Sequence, residues 1–544
     1  MMSRVPIQTL AVMLMLAAAA RGDDRETLTT LLQAKGPPGR TIVIPPGDYQ
    51  LDGIEPIELP SRVTVVAHGA RFHFPSDLRE QIRRVMFTAE NLLEFSWTGG
   101  HFAGRVFDPA RGDENPWPPQ ANTRPIVVTT TAGGTTANLT FRDITSADVA
   151  GAVVTVLGAA RPGSDREIER YATNVTVENC TLERSGKFMW DYGYLWQIVV
   201  WPEEHIDAER AIAAKYFRHD LVRGPVRMAD GDDRVHLAND PPLPLSPRAD
   251  GGRGAVCFFD DHLPQNVIRG RQYFVVESGP EFIRIATEPG GPPLRFEGAA
   301  GPAARVVTDL FQAHLALYQP TGSGPGKGAI DLVGCEHVIV RGCRLSALGD
   351  TMHIQKCHDI VFSDNQITGS RMGAFFLAEF CRNATITGNT VNATNGSRVI
   401  SVEKSCADVT IVGNTFRGGG RGSWINQPRN LVIADNVFIN NTTKCEPDPR
   451  RGRRSFATGG YERYAEMYFT THEPGGRYGN VIIRGNVFTS GSHATHAITF
   501  APGGDAILVC DNIFAGLVRD VPAPAGSTNV TIRDNLSEPT PEGD

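Results

Sequence analysis

Carboxylate, imidazole and amide side chains recur in a run of short segments in the second half of the chain. The segments are AIDLVG (329–334), MHIQK (352–356), FFLAEF (375–380), ISVEK (400–404), WINQ (424–427) and EMYFTTH (466–472). Each alternates apolar and polar residues, as a strand with one buried face does. Ile330, Leu332, Met352, Ile354, Phe376, Ala378, Ile400, Val402 and Ile425 then face inward. Two outward columns result. One runs Val333, Gln355, Glu379, Glu403, Asn426, and the other Asp331, His353, Leu377, Ser401, Trp424. Asp350 borders both columns, and Glu466, Tyr468 and Thr470 continue the exposed face.

Glu379 and Glu403 stand one segment apart, about 5 Å if the segments are neighbouring strands. Two carboxyls that close repel, so one retains its proton. A protonated carboxyl beside an ionised one is the pair that hydrolyses a glycosidic bond. A spacing of one strand suits the covalent retaining route, and a wider pair such as Asp331 with Glu379 suits inversion. The candidate catalytic groups are therefore Asp331, Asp350, Glu379 and Glu403, with His353 placed to tune an acid or hold the sugar. The assignment depends on register, because a slip of one residue turns every side chain over. Hydrolysis of this kind needs no cofactor, although Glu379, Glu403 and Asn426 also offer the oxygen donors that Ca²⁺ takes.

The elements that must hold these residues announce themselves as a repeat. Segments of the form VFSDNQI (361–367), TITGNTV (385–391), TIVGNTF (410–416), VIADNVF (432–438) and IIRGNVF (482–488) put an Asn at 365, 389, 414, 436 and 486, and again at 512 and 535. The steps are 22 to 26 residues except for one of 50, which is two coils carrying an extra loop. Cys180 and Cys343 fill the Asn position in two earlier copies. A period of this length with strand-like alternation predicts a parallel β-helix, in which like residues of successive coils stack. Leucine-rich repeats lack their leucine spacing here, and helical repeats would need apolar residues every 3.6 positions. Stacked Asn amides satisfy one another in a buried ladder. Cys335, Cys357, Cys381 and Cys406 share a second register and read as a buried thiol column. With nine cysteines and no Cys-x-x-Cys pair, neither a full disulfide framework nor a zinc site is indicated.

Glu26 to Ala34 predicts a short amphipathic helix able to cap the open end of the solenoid. TIVIPPGDYQL (41–51) and VTVVAHGARFHF (63–74) follow. A strand ending in Pro-Pro-Gly-Asp-Tyr and leading into stacked short strands resembles the first coil of pectin-lyase-like proteins. That resemblance implies an all-β, right-handed parallel β-helix acting on a polysaccharide. From about Lys187 to Gln319 the coil pattern stops. Pro202 to Phe217 reads as a helix with Pro at its first position. Short alternating runs follow, among them VRMA (226–229), QYFVVE (272–277) and FIRIAT (282–287). The division expected is an export signal (1–22), N-terminal coils (23–186), a small inserted β-rich domain (187–319) and C-terminal coils (320–544). The layout resembles that of β-helix glycosidases carrying an insertion.

Further residues suit contacts with sugar. MWDYGYLWQ (189–197) alternates Trp190, Tyr192, Tyr194 and Trp196 around Asp191. Such rings either stack on sugar or pack the insertion. Gln355, Arg371, Lys404, Trp424, Asn426 and Tyr468 complete the set. The stretch ISVEKSCADVTIVGNTF (400–416) resembles the lysine-bearing coil of the alginate lyase and chondroitinase B family. Lys404 falls on that family's catalytic lysine. The resemblance implies β-elimination on a uronic polymer, with Tyr468, His353 and Arg371 as further participants. It departs where an arginine is expected one coil later, since none follows Asn426 until Arg429. A non-catalytic, polysaccharide-binding solenoid of the tailspike kind is the third reading, because fold alone does not settle activity.

Composition bounds the rest. The 544 residues are 41% hydrophobic with a net charge of −7, which excludes wholesale disorder and gives no electrostatic case for nucleic acid. Arg4, the apolar run Ile7 to Ala20 and Ala20-Arg21-Gly22 form a signal-peptide pattern, too short for a membrane span. The expectation is a secreted or periplasmic protein.

Overall fold

The computed structural model describes residues 24–51, 55–73, 84–104, 123–149, 151–162, 164, 167–186, 222–223, 225–237, 255–260, 262–268, 273–287, 290–308, 327–347, 350–370, 373–393, 398–420, 422–442, 465–471, 475–489, 496–516, 521 and 526–537. Three parallel sheets run the length of the solenoid, of 13, 13 and 11 strands among the described residues. The first begins at Arg40–Val43 and ends at Thr528–Arg533, the second runs from Gly47–Gln50 to Leu536–Ser537, and the third from Ile57–Glu58 to His496–Phe500. A full coil gives one short strand to each, so the chain is a parallel β-helix.

Alternation decides what lies inside. Along Cys335–Arg341, Val338 and Val340 are buried while Ile339 is 36% exposed. The inward residues of successive coils then meet. Phe416, Phe438, Phe488 and Phe514 form a continuous stack, with neighbouring ring centroids 5.0, 4.8 and 5.6 Å apart. At the N-terminal end, helix Arg25–Gln33 buries Leu28 and Leu32 in the same core, and the Gln33 amide donates to the Glu58 carbonyl at 2.8 Å.

Two buried ladders hold the coils in step. Each Asn of the repeat donates its Nδ2–H to the Oδ1 of the next and to backbone carbonyls. Asn365 reaches Asn389 at 3.0 Å, Asn389 reaches Asn414 at 2.9 Å, and the chain continues through Asn436, Asn486 and Asn512 to Asn535. The 50-residue step from Asn436 to Asn486 is thus one coil with a long loop, not the two coils expected, because the strands on either side of it pair directly. The Cys343 N–H donates to Asn365 Oδ1 at 3.0 Å, so cysteine enters the ladder through its backbone. Cys335, Cys357, Cys381 and Cys406 are stacked, fully buried free thiols. Burial, and then the neighbouring thiol, pushes Cys335 and Cys381 well above the ordinary thiol range. Thiolate chemistry is thereby disfavoured. A third ladder, unread in the sequence, lies outside the first sheet. Asn383 donates to Asp359, Asn430 to Asp408 and Asn480 to Asn430, each from a residue in the left-handed region.

Glu178 shows how charge is held on this surface. It is 4% exposed and accepts from Arg142 Nε at 2.5 Å and from Arg341 at 2.6 and 2.8 Å. Burial acts to raise its carboxyl pKa, but Arg341 and Arg142 together outweigh burial and hold it below the ordinary range. A depressed folded value means that the stabilisation is complete above the unfolded pKa and is lost as pH falls through the folded one. Glu178→Gln is therefore expected to cost about 1–2 kcal/mol at pH 7, the arginines being half exposed. The difference from wild type should shrink by pH 3 in denaturant titrations, and an equal difference at both pH values would refute the assignment.

Between Thr181–Ser185 and Lys327–Val333 the solenoid is interrupted by a separate seven-stranded antiparallel sheet. Its strands include Val226–Arg227, Arg234–Leu237, Tyr273–Ser278 and Phe282–Ala286. One face buries its own core of Val235, Val256, Phe258, Tyr273, Ile283, Ile285 and Val306, distinct from that of the coils. The expected helix Pro202 to Phe217 and the basic run near Arg450 lie outside the described residues.

Candidate active site

The third sheet carries the polar columns. Its register runs Asp331, His353, Phe376, Ser401, Trp424, Tyr468, Thr499. The neighbouring outward column is Val333, Gln355, Ala378, then Glu403, Asn426 and Thr470. Both follow the sequence-based columns except at Gly373–Ala378. There Leu377 is inward and fully buried, Phe376 is outward, and Glu379 has left the strand. The cause is turn length. The preceding coil turns on one left-handed residue, Lys356, whereas this coil turns on two, Glu379 and Phe380, with φ of 34° and 58°. Lys404 and Ser405 repeat the two-residue turn one coil on. Glu379 thus stacks on Lys404, not on Glu403.

That displacement changes the electrostatics. The Glu379 carboxylate accepts from the Lys404 ammonium and, at 2.8 Å, from the Gln355 amide, with Lys356 Nζ 4.0 Å away. Burial would raise its pKa, but Lys404, Gln355 and Lys356 together hold it below the ordinary range. Glu403 lies 3.7 Å from Arg398 Nη1, and Asp331 Oδ1 is 2.8 Å from His353 Nδ1. Each of these carboxylates therefore faces a cation or an imidazole. Glu379 and Glu403 do not form the expected shared-proton pair. Asp350, the first residue of Asp350–Gln355, is fully buried beside Gly373, where an added Cβ would stand 3.1 Å from its Oδ1. Gly373→Ala is expected to displace Asp350 and, if that carboxyl serves the reaction, to lower activity several-fold with an unchanged thermal midpoint. Unchanged activity would remove Asp350 from the site.

A second cluster centres on a residue that sequence reasoning missed. Arg398, 4% exposed, lays its guanidinium 4.0 Å above the Trp424 ring and donates Nε–H to Tyr468 Oη at 3.1 Å. The Trp424 indole and the Asn426 amide both donate to Thr470 Oγ1, at 2.7 and 2.8 Å. The Asn426 Oδ1 in turn accepts from the Lys404 N–H at 3.3 Å. Arg398 opens its strand ahead of the apolar alternation, so periodicity gives it no role. The lyase resemblance does not point to it either, since the arginine expected there stands one coil after Lys404. Arg429 begins a strand of the first sheet instead.

The outward face is not an open groove. Asp331, His353, Ser401, Glu403, Asn426 and Tyr468 are all less than 9% exposed, and Glu466 is fully buried with Asn441 N–H on both its oxygens. Cross-coil contacts such as Arg398 over Trp424 and Lys404 on Glu379 close the surface. A Ca²⁺ ion on Glu379, Glu403 and Asn426 does not fit this arrangement, because an ammonium already occupies Glu379 and Asn426 Oδ1 holds a backbone N–H. The three metal-type ligands that converge among the described residues, Glu336, His337 and Asp359, lie on the first sheet. Trp190, Asp191 and Arg371 lie outside the described residues.

Comparison with known proteins agrees with this fold. Residues 319–471, which span this face, match the family described as periplasmic copper-binding protein (NosD). The A-module of the mannuronan C-5 epimerase AlgE6 of Azotobacter vinelandii superposes with a TM-score of 0.52 at 10% identity, covering 95% of this chain and 96% of that one. An exopolygalacturonase of Thermotoga maritima gives a TM-score of 0.40 at 10% identity over 92% of this chain and 84% of that one. No curated protein matches the sequence. At such identities the likeness is one of fold: the chain is a right-handed parallel β-helix. No helix among the described residues is long and apolar enough to cross a membrane.

Proposed function

We propose that the protein is an exported carbohydrate-active enzyme that acts on a uronic-acid polymer by withdrawing the proton beside the sugar carboxylate, leading to β-elimination or epimerisation. The observation that carries this reading is the Arg398–Tyr468 pair on Trp424. A proton next to a carboxylate becomes removable when a cation neutralises that carboxylate, and the base must lie within hydrogen-bond reach. Arg398 supplies the cation. Tyr468 Oη, which accepts the Arg398 Nε–H, is the acid–base group beside it. Trp424 offers an aromatic face beside them. Lys404, paired with Glu379, is a charged ammonium and acts as a second cation for the substrate.

His353 belongs to a different subsite. Its Nδ1 lies 2.8 Å from Asp331 Oδ1. His353 and Tyr468 are four coil steps apart in register, roughly 19 Å at the usual strand spacing. They serve different sugars of an extended chain. The hydrolytic reading loses support at Glu379, because a general-acid carboxyl must hold a proton and the cations beside this one oppose that. The likeness to an epimerase named for mannuronan suits a uronic substrate.

The test is a panel of neutral, uronic and sulfated polysaccharides incubated in D₂O. Deuterium in recovered uronate or absorbance near 235 nm from unsaturated uronate is the expected result. New reducing ends with neither signal would overturn the proposal in favour of hydrolysis.

A further inference from the structure

The inserted sheet has a second face, opposite its apolar core. Across four adjacent strands the register gives one row of Arg227, His236 and Phe282 and another of Arg234, Arg284 and Glu277. Neighbouring strands lie about 4.8 Å apart. Arg234 and Arg284 are directly opposite each other, an arrangement that costs stability when nothing compensates it. Arg284 is compensated by Asp233 Oδ1 at 3.1 Å and Glu277 Oε2 at 2.5 Å. Arg234 is held differently: its guanidinium lies 4.6 Å over the Phe282 ring, which fixes its plane and leaves its N–H fork without a carboxylate among the described residues. Arg227 is exposed and equally without one, while His236 is engaged by Asp232 at 2.9 Å.

We propose that this face binds an acidic glycan, with carboxylate or sulfate groups on the Arg227 and Arg234 forks and sugar rings along Phe282. Guanidinium forks match such anions bidentately, and stacking on an aromatic ring pre-organises the fork. A nucleic acid fits poorly, since Asp232, Asp233 and Glu277 border the arginines and the whole chain carries a net charge of −7. The site is separate from the third-sheet cluster and shares with the proposed function only the acidity of the ligand.

Native electrophoresis of the full chain through gels holding a polyuronate, a sulfated glycan, a neutral glycan or duplex DNA tests this. The expected result is retardation by one or both acidic glycans, weakened by salt, and an apparent Kd at least tenfold weaker in Arg227→Gln/Arg234→Gln. The double variant should melt like wild type because both side chains are exposed. Which acidic gel retards distinguishes carboxylate from sulfate. Retardation of the double variant equal to wild type would overturn the inference. So would absence of retardation in both acidic gels, or equal retardation by DNA. Loss of retardation in the double variant upholds it even if no polyuronate exchanges deuterium, an outcome that would defeat the catalytic proposal alone.

Discussion

Tyr468→Phe is expected to lower turnover by about 10²–10³-fold with KM little changed, the usual loss when a positioned acid–base group is removed. The substitution deletes one oxygen and keeps the ring, so the buried column from Trp424 to Thr499 retains its volume. It also takes away the acceptor of Arg398 Nε–H, leaving a guanidinium that still faces Glu403. The readout that separates chemistry from folding is deuterium exchange into polyuronate at saturating substrate, alongside a thermal melt. A kcat within threefold of wild type would remove Tyr468 from the reaction. Arg398→Lys adds a second discrimination. It keeps the charge but loses the planar fork and the stack on Trp424, so substrate affinity and turnover should fall together.

Asn414→Ala should be the most damaging single change away from the active face. Asn414 Oδ1 accepts both the backbone N–H and the side-chain Nδ2–H of Asn389, while its own Nδ2 donates to Ile386, Val412 and Asn436. Truncation leaves the Asn389 backbone N–H without its acceptor and takes the Nδ2 donor from the Ile386 and Val412 carbonyls, while Asn389 Nδ2 keeps Phe362 and Thr387, at a cost of about 2–3 kcal/mol. Because coils interact mainly with their neighbours, the loss should be local. Amides around Asn389, Asn414 and Asn436 should exchange with deuterium at least tenfold faster than in wild type, with the first coils near Val65 unaffected. Uniform acceleration throughout the chain, or none, would contradict this account of the ladder.

The coil period, the Asn ladder and the cysteine column were legible in the sequence because stacking repeats the same side chain at the same turn. Ile354 and Val402 likewise had to face in, and the columns containing Asp331, His353, Gln355, Ser401 and Glu403 followed from them. One strand defeated the pattern. In FFLAEF both registers begin with apolar residues, Phe375 and Leu377 or Phe376 and Ala378, and no glycine marks the extra left-handed residue of the turn, so Glu379 was assigned to the sheet. Burial of the face was illegible for another reason. Alternation distinguishes the two sides of a strand, but it does not reveal that Arg398 folds over Trp424 or that Tyr468 leans across a coil to meet it. Those contacts are tertiary, and they turned a pair of acids expected to share a proton into carboxylates matched with cations.

The bond from Asn436 to Asn486 spans 50 residues of sequence and measures 2.9 Å, whereas that from Asn414 to Asn436 spans 22 and measures 3.0 Å. The scaffold thus keeps its place by counting turns of the spiral and is indifferent to how much chain is spent between them. An address on this molecule, such as the level at which Tyr468 meets Arg398, is fixed by the ladder, while the length of a loop beside it is free to drift. New lids, and whole sheets like the inserted one, can be acquired or exchanged over an existing catalytic row without moving a single rung.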